Sequence, residues 1–169
     1  MKRYLFLFLF FLNACVTSPL PAGEGGGVRE NPTSNELVMG SDPEMESAFA
    51  EARATLDEFI TRIAELNPTR EFVALKVRFT LPDASTQDIW CDEAAYENSQ
   101  FTGNMGDDIS SLKLAFGDRI TISNKNIVDW MIVQDGKLIG GFTIRVAFSR
   151  MTPAEKEFFL NDAGYSIEE

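Results

Sequence analysis

The feature that most restricts the fold is a short turn between two apolar segments near the C-terminus. Residues 127–133 and 138–146 are rich in Val and Ile and flank Gln134-Asp135-Gly136-Lys137. Asp-Gly at the centre of a two-residue loop is typical of a type I′ turn, which joins antiparallel strands. The sequence therefore predicts a hairpin. Because such a loop sets the register, four facing pairs are expected: Val133–Leu138, Met131–Gly140, Trp130–Gly141 and Asp129–Phe142.

One charged residue interrupts this apolar hairpin. In the expected register Asp129 is the only charged residue on its face, and Arg145 points away from it. A buried carboxylate needs hydrogen-bond partners, so one hypothesis is that backbone N–H groups at a bulge near Gly140-Gly141 donate to it. The alternative is a binding or catalytic role for Asp129.

The paired glycines opposite Trp130 are a second candidate feature. They leave a gap the size of a side chain, which the indole could cover or a ligand could enter. No residue is assigned as catalytic or as a metal ligand on this basis. The candidate binding residues are Trp90, Asp129, Trp130, Gly140, Gly141, Phe142 and Arg145.

The first folded element is predicted to be one amphipathic helix. Ser41 or Asp42 is a suitable N-cap, and Pro43 suits the first helical position. Apolar residues then recur at spacings of three and four as far as Leu66, which makes about six turns. Asn67-Pro68 ends the helix, because the residue before a proline disfavours the helical conformation.

The segments between this helix and the hairpin predict further strands. They cover residues 71–80, 87–92, 96–106 and 119–122. Thr152-Pro153-Ala154-Glu155 has the pattern of a capping box and begins a short helix. The predicted fold is therefore α+β: an N-terminal amphipathic helix packed on a curved, mainly antiparallel sheet of about five or six strands, with a short C-terminal helix.

The N-terminus has the organisation of a bacterial lipoprotein signal. Lys2 and Arg3 precede an apolar run at residues 4–12, which is too short to span a membrane as a helix. Leu-Asn-Ala-Cys at residues 12–15 resembles the lipobox that the lipoprotein signal peptidase recognises. We expect residues 1–14 to be a removed signal peptide and Cys15 to be acylated, with the lipid bilayer as its partner. A plain secretory signal with an unrelated cysteine is the alternative.

A tether and one folded domain are expected after the signal. Residues 15–40 contain repeated Gly and Pro without helical or strand periodicity, which is typical of a flexible linker. Residues 41–169 form the single α+β domain. Val16 stands where an inner-membrane retention signal usually places Asp, so the resemblance to Gram-negative lipoproteins implies the periplasmic face of the outer membrane.

Composition disfavours several classes of function. The net charge of −11 argues against nucleic-acid binding, which needs clustered Lys and Arg. The absence of histidine removes Ser-His and Cys-His catalysis and histidine-ligated metal sites. Two cysteines are too few for a disulfide framework, and Cys91 is expected to be a buried apolar residue. The carboxylates near Trp90 lack the spacing of a Ca²⁺ loop, so no metal or cofactor is predicted.

Several motifs occur together and in order along most of the mature chain. The most specific are Asp129-Trp130-Met131 and Gly140-Gly141-Phe142-Thr143, which follow Asp88-Ile89-Trp90. With them, residues 41–150 resemble the YegJ-like family, a bacterial family of unknown function. The sequence departs from that pattern at Asp88, where Glu and then His is more usual, and at Cys91, where an aliphatic residue is expected. The resemblance implies no settled activity.

The signal, the charge and the scarcity of catalytic groups favour a non-enzymatic binding or protein-interaction module in the cell envelope. A protein partner there is one expectation, and nucleic acid is not expected. Two alternatives remain open. One is a carboxylate-based envelope hydrolase that uses Asp129, and the other is an immunity-type inhibitor of a basic toxin.

Overall fold

The structure is a computed structural model, and it describes residues 42–168. The predicted signal peptide, Cys15 and the linker at residues 15–40 lie outside the described residues. No helix within residues 42–168 is both long and apolar enough to cross a membrane. The elements are, in chain order, α1 (Pro43–Ala54), α2 (Leu56–Ala64), β1 (Arg70–Thr80), β2 (Thr86–Glu97), β3 (Gln100–Met105), β4 (Arg119–Ile122), β5 (Ile127–Gln134), β6 (Lys137–Gly140), α3 (Phe142–Ser149) and α4 (Pro153–Ala163).

The six strands form one sheet in the order β4-β3-β2-β1-β5-β6. Every neighbouring pair is antiparallel. In β5 all seven residues from 127 to 133 are buried, which explains why its sequence is a nearly continuous apolar run instead of an alternating one. The predicted α+β class, with helices at both ends of the folded chain, is confirmed.

Each face of the sheet carries its own apolar cluster. The first face packs against α1 and α2, and its cluster includes Phe59, Leu75, Cys91, Phe101 and Trp130. The second face has a smaller cluster, which residues of α3 and α4 partly cover: Ala74, Met131, Val133, Leu138 and Tyr165. Because apolar material lies on both sides of β1 and β5, these two strands are the centre of the fold.

The helix predicted over residues 43–66 is divided at Thr55. This residue separates α1 from α2 and has φ −103° and ψ 12°. The indole Nε1 of Trp130 donates to the Ala52 carbonyl at 3.2 Å and to Thr55 Oγ1 at 3.1 Å. The prediction of one continuous helix is wrong, because a buried side chain from the sheet bonds to the helix backbone at this point. The apolar spacing continues through the break and does not reveal it.

The predicted hairpin is correct near its turn and wrong beyond Gly140. The two pairs nearest the turn form as expected: Val133–Leu138 and Met131–Gly140. Gly140 and Gly141 have φ of 69° and 64°, and this left-handed conformation turns the chain out of the strand. The helix α3 follows at once, where the sequence predicted strand. The other two expected pairs are absent from the β5–β6 ladder: Trp130–Gly141 and Asp129–Phe142.

The C-terminal helix begins as predicted. Thr152 is the N-cap of α4, and it exchanges hydrogen bonds with Glu155 in a capping box. The helix ends at Gly164, whose φ is 72°. The chain then returns beside β6, where the Leu138 N–H donates to the Ser166 carbonyl at 2.9 Å. This return places Tyr165 in the cluster of the second face.

Candidate functional site

Asp129 lies in the middle of β5, is completely buried, and caps the helix α3. Its Oδ1 accepts from the backbone N–H of Trp130 at 2.8 Å and of Phe142 at 3.2 Å. Its Oδ2 accepts from the Thr143 N–H at 2.8 Å and from the Thr143 hydroxyl at 2.7 Å. The N-cap residue of α3 is Gly141, which has no side chain, so a carboxylate from the sheet supplies the capping acceptor.

Lys76 faces this carboxylate from the neighbouring strand. It is paired with Asp129 in the β1–β5 ladder, and its Nζ donates to the Thr143 hydroxyl at 3.2 Å. Burial lowers the pKa of Lys76, and the negative charge of Asp129 opposes that shift. Burial likewise raises the pKa of Asp129. Among the interactions that oppose this rise, the hydrogen bonds from Thr143 are the strongest. The result is a half-enclosed chain of polar groups, Lys76–Thr143–Asp129.

This geometry favours the structural interpretation of Asp129. Four donors occupy its two oxygens, and it has no exposed surface through which a substrate could reach it. The sequence anticipated backbone N–H donors near the paired glycines, and they are present. They belong to the first turn of a helix instead of a strand bulge. Lys76 is half-buried, and it contacts Thr143 of α3.

The indole of Trp130 covers the gap that the glycines leave. Trp130 is 1% exposed, and a Cβ added at Gly140 would lie 2.6 Å from its ring and 2.5 Å from its carbonyl oxygen. A Cβ at Gly141 would lie 2.7 Å from the Leu138 side chain. Phe142 closes the other side, with its ring 5.7 Å from that of Trp130 in an edge-to-face arrangement. No room for a ligand remains at this point.

Arg145 has a structural set of contacts. Its guanidinium donates to the carbonyls of Gly140, Leu138 and Glu168 at 2.9, 2.9 and 2.6 Å. Within residues 42–168 it forms no ion pair with Asp129. Arg145 therefore ties α3 to β6 and to the C-terminal segment.

Trp90 keeps accessible surface, unlike Asp129 and Trp130. It is half-buried on β2. It pairs with Lys76 on β1, which in turn pairs with Asp129 on β5, so these three residues form a row across the sheet. The Nζ of Lys76 lies 5.6 Å from the centre of the Trp90 ring. The structure thus brings Trp90 and Asp129 to the same face of the sheet, with Lys76 between them, although the sequence placed them in unrelated segments.

A polar network lies on β2, β3 and β4. Arg119 donates to the Glu93 carbonyl at 2.9 Å, to Asn104 Oδ1 at 3.1 Å and to Thr102 Oγ1 at 2.6 Å. The Asn104 amide in turn donates to Glu93 Oε2 at 2.8 Å. These side chains hold one another in place on the second face of the sheet. We call this surface the open face: Trp90, Asp92, Glu93, Thr102, Asn104 and Arg119.

Asp92 stands between Trp90 and this network. It pairs with Asn104 across the ladder, immediately before a bulge in which Glu93 has φ 46°. Asp92 Oδ1 is buried and has no hydrogen-bond partner. Burial and the neighbouring charge of Glu93 raise the pKa of Asp92. Within residues 42–168 no group of three or more Cys, Asp or Glu side chains is arranged to hold a metal ion.

Sequence reasoning missed most of the open face. Asn104, Arg119 and Thr102 carry no local motif, and their bonds join strands that are well separated in the chain. Cys91, by contrast, is buried as predicted and faces the opposite side of the sheet. Burial raises the pKa of its thiol to about 12.

Comparison with known proteins identifies the family. Residues 42–167 match the family model described as "Uncharacterized protein conserved in bacteria (DUF2314)". The chain belongs to this family. A relative, "Uncharacterized protein YegJ" of Escherichia coli (strain K12), is 28% identical over 115 residues, which cover 66% of this chain and 72% of that protein. No solved structure matches the chain.

The DUF2314 match extends over all ten helices and strands. It begins at Asp42, the N-cap of α1, and ends two residues beyond Tyr165. It therefore includes Asp129, the paired glycines and the open face. The predicted resemblance to a YegJ-like bacterial family is confirmed.

Proposed function

We propose that this DUF2314 protein is a lipid-anchored binding module of the bacterial cell envelope. Acylated Cys15 holds it to the bilayer, on the periplasmic face of the outer membrane, and the open face of the sheet meets its partner. The observation that carries the binding role is the Arg119 network, which joins three strands and positions polar side chains before any partner arrives.

Support for the anchor comes from the N-terminal sequence. Lys2, Arg3, the apolar run and Cys15 stand in the order of a lipoprotein signal. Removal of Lys2 and Arg3 leaves 13 basic residues against 26 acidic ones. Such a body is repelled by anionic headgroups, so acyl chains at Cys15 are needed to keep it at the membrane.

Support for binding comes from the order within the open face. Arg119 and Asn104 satisfy most of their hydrogen-bonding groups through neighbouring side chains and carbonyls. Side chains already fixed in one arrangement lose less conformational entropy when a partner binds. The open face is therefore suited to recognition by hydrogen bonds.

The hydrolase hypothesis gains no support from Asp129. A general acid or base must come within hydrogen-bond reach of its substrate, and Asp129 is enclosed by its own donors. An immunity-type inhibitor of a basic toxin remains the second candidate, and the net charge of −11 favours it. A toxin gene adjacent to the gene for this chain would support that candidate.

The anchor is tested by metabolic labelling with radioactive palmitate. Wild-type protein should be labelled, and the Cys15→Ser variant should not. Equal labelling of both proteins would exclude acylation at Cys15.

The binding face is tested by crosslinking in intact cells. A photo-crosslinking amino acid is placed at Thr121, which is exposed on β4 and pairs with Thr102, and separately at Glu157 on α4 as the control. A specific product should form from position 121 and not from position 157. The same products from both positions would contradict the proposed binding face.

A further inference from the structure

We propose that the open face binds a neutral saccharide, with Trp90 as the stacking residue. This inference rests on the proposed binding function and gives the chemical class of the partner. Three observations carry it: unused hydrogen-bonding groups around Trp90, the absence of a side chain on one flank of that residue, and a balance of charge across the face.

The first observation is unused hydrogen-bonding capacity. Within residues 42–168 the indole Nε1 of Trp90 donates to no acceptor, and the Lys76 ammonium makes one hydrogen bond out of three, to Thr143. A hydroxyl group both donates and accepts, so a ligand that carries several hydroxyls can accept from both of these groups.

The second observation is the shape of the surface beside Trp90. On the β3 side its neighbour is Gly106, whose N–H donates to the Trp90 carbonyl at 3.0 Å. A Cβ at Gly106 would lie 2.3 Å from that carbonyl oxygen, so this position admits only glycine. The residue beside Trp90 on the β3 side therefore contributes no side chain. A flat, partly exposed aromatic ring is the surface on which the C–H groups of a sugar ring pack.

The third observation is the balance of charge. Arg78 is paired with Asp88 through two hydrogen bonds of 2.8 Å each. Lys76 and Arg119 supply two positive charges to the surface, and Asp92 and Glu93 supply two carboxyl groups. A polyanion such as nucleic acid or an anionic headgroup therefore finds no net attraction here. A neutral polyhydroxylated ligand does not depend on a net charge at the surface.

The geometry thus assigns a role to each part of the open face. The Trp90 ring packs against the sugar. Asn104 and Arg119, which are planar and held by their own network, direct hydrogen bonds to neighbouring hydroxyls. Lys76 and the indole N–H of Trp90 supply donors that the folded protein leaves unused.

The test is calorimetric titration of the full, lipidated protein in a zwitterionic detergent that contains no sugar. The probes are two neutral oligosaccharides, the tetramer of N-acetylglucosamine and maltotetraose. At least one should bind saturably. Trp90→Ala should weaken that binding about tenfold or more, which is about 1.4 kcal/mol. Asn104→Ala should weaken it as well, and it tests the same face without removing an aromatic ring.

The matched control is Phe116→Ala. Phe116 is an aromatic residue that is 71% exposed and lies outside the open face, so its variant should bind like the wild type. Thermal melting of each variant establishes that it is folded. Equal affinity of wild type and a folded Trp90→Ala variant would overturn the assignment of Trp90.

Failure of the saccharide inference is separable from failure of the proposed function. If neither oligosaccharide binds but crosslinking from position 121 captures a specific protein, the open face is a protein-binding surface and the saccharide inference is wrong. If neither oligosaccharide binds and position 121 gives no specific product, both the inference and the proposed function are wrong.

Discussion

Asp129 on β5 accepts two hydrogen bonds from Thr143 in the first turn of α3, one from the backbone N–H at 2.8 Å and one from the hydroxyl at 2.7 Å. A helix N-terminus normally receives its cap from a residue next to it in the chain. Here the cap comes from a strand 14 residues earlier, so the same bonds that complete the helix also join it to the sheet. This contact explains the carboxylate in the middle of the apolar strand β5.

Replacing Asp129 by Asn should destabilise the fold. The Asn amide presents an NH₂ group toward the N–H donors of α3, and the bonds to a charged acceptor are lost. We expect the free energy of unfolding to fall by about 1 to 3 kcal/mol. Urea denaturation measures it, with Asp135→Asn in the exposed turn as the control. Unchanged stability of the Asp129 variant would show that the cap contributes nothing.

Alanine substitutions at Gly140 and Gly136 are a matched pair that tests the close approach of Trp130 to Gly140. Both have positive φ, at 69° and 67°, so alanine is strained by about 1 kcal/mol at either position. An added Cβ meets nothing within 4 Å at Gly136, whereas at Gly140 it meets the Trp130 carbonyl and ring. We expect Gly140→Ala to cost about 2 kcal/mol more than Gly136→Ala in thermal or chemical unfolding. Equal costs would contradict the observed packing of the indole.

The break between α1 and α2 is tested at Thr55. Thr55→Val removes an acceptor of the Trp130 indole N–H and should lower the free energy of unfolding by about 1 kcal/mol. Thr61→Val is the control, because its hydroxyl also bonds to a helix carbonyl, at Asp57, but contacts no tryptophan. We expect its effect to be below about 0.5 kcal/mol. If the two variants lose the same stability, the hydrogen bond from the indole does not account for the effect of Thr55→Val.

Cys91 should be chemically inert in the folded protein. It has no exposed surface, and burial raises its thiol pKa to about 12, so almost no thiolate forms at neutral pH. In a Cys15→Ser chain it is the only thiol and can be followed with a chromogenic disulfide reagent. Modification should be slow in buffer and fast in urea. Rapid modification in buffer would indicate a reactive cysteine and revive a redox role.

The contact between Asp42 and Arg150 predicts a measurably low pKa for Asp42. Two hydrogen bonds from Arg150, of 2.6 and 2.7 Å, lower the pKa of Asp42 to about 2. Its contribution to stability is complete above its ordinary pKa of 3.8 and is lost as the pH falls through about 2.

Carboxyl NMR titration measures that pKa directly. In Arg150→Gln it should rise toward 3.8, while the pKa of Asp83, which Ser85 lowers, should stay where it is. An unchanged Asp42 pKa in the variant would show that Arg150 is not its cause.

The sequence was sufficient for features that depend on a few adjacent residues. The Asp135-Gly136 turn, the capping box of Thr152 and Glu155, and the apolar character of β5 were each predicted and are present. Turn conformations and helix caps are set by the backbone preferences of neighbouring residues. The α+β class follows from the order of such elements.

The tertiary structure alone decided what lies beyond Gly140 and at Thr55. The alternation after the turn fits a strand, but a helix forms because Asp129 caps it and two glycines allow the chain to turn. The apolar spacing before Asn67 fits one helix, but an indole 75 residues away in the chain bonds to Thr55. The open face likewise depends on Arg119 reaching side chains 15 and 17 residues away. The conformational preferences of neighbouring residues cannot specify such contacts, because the packing of the whole sheet determines which groups meet.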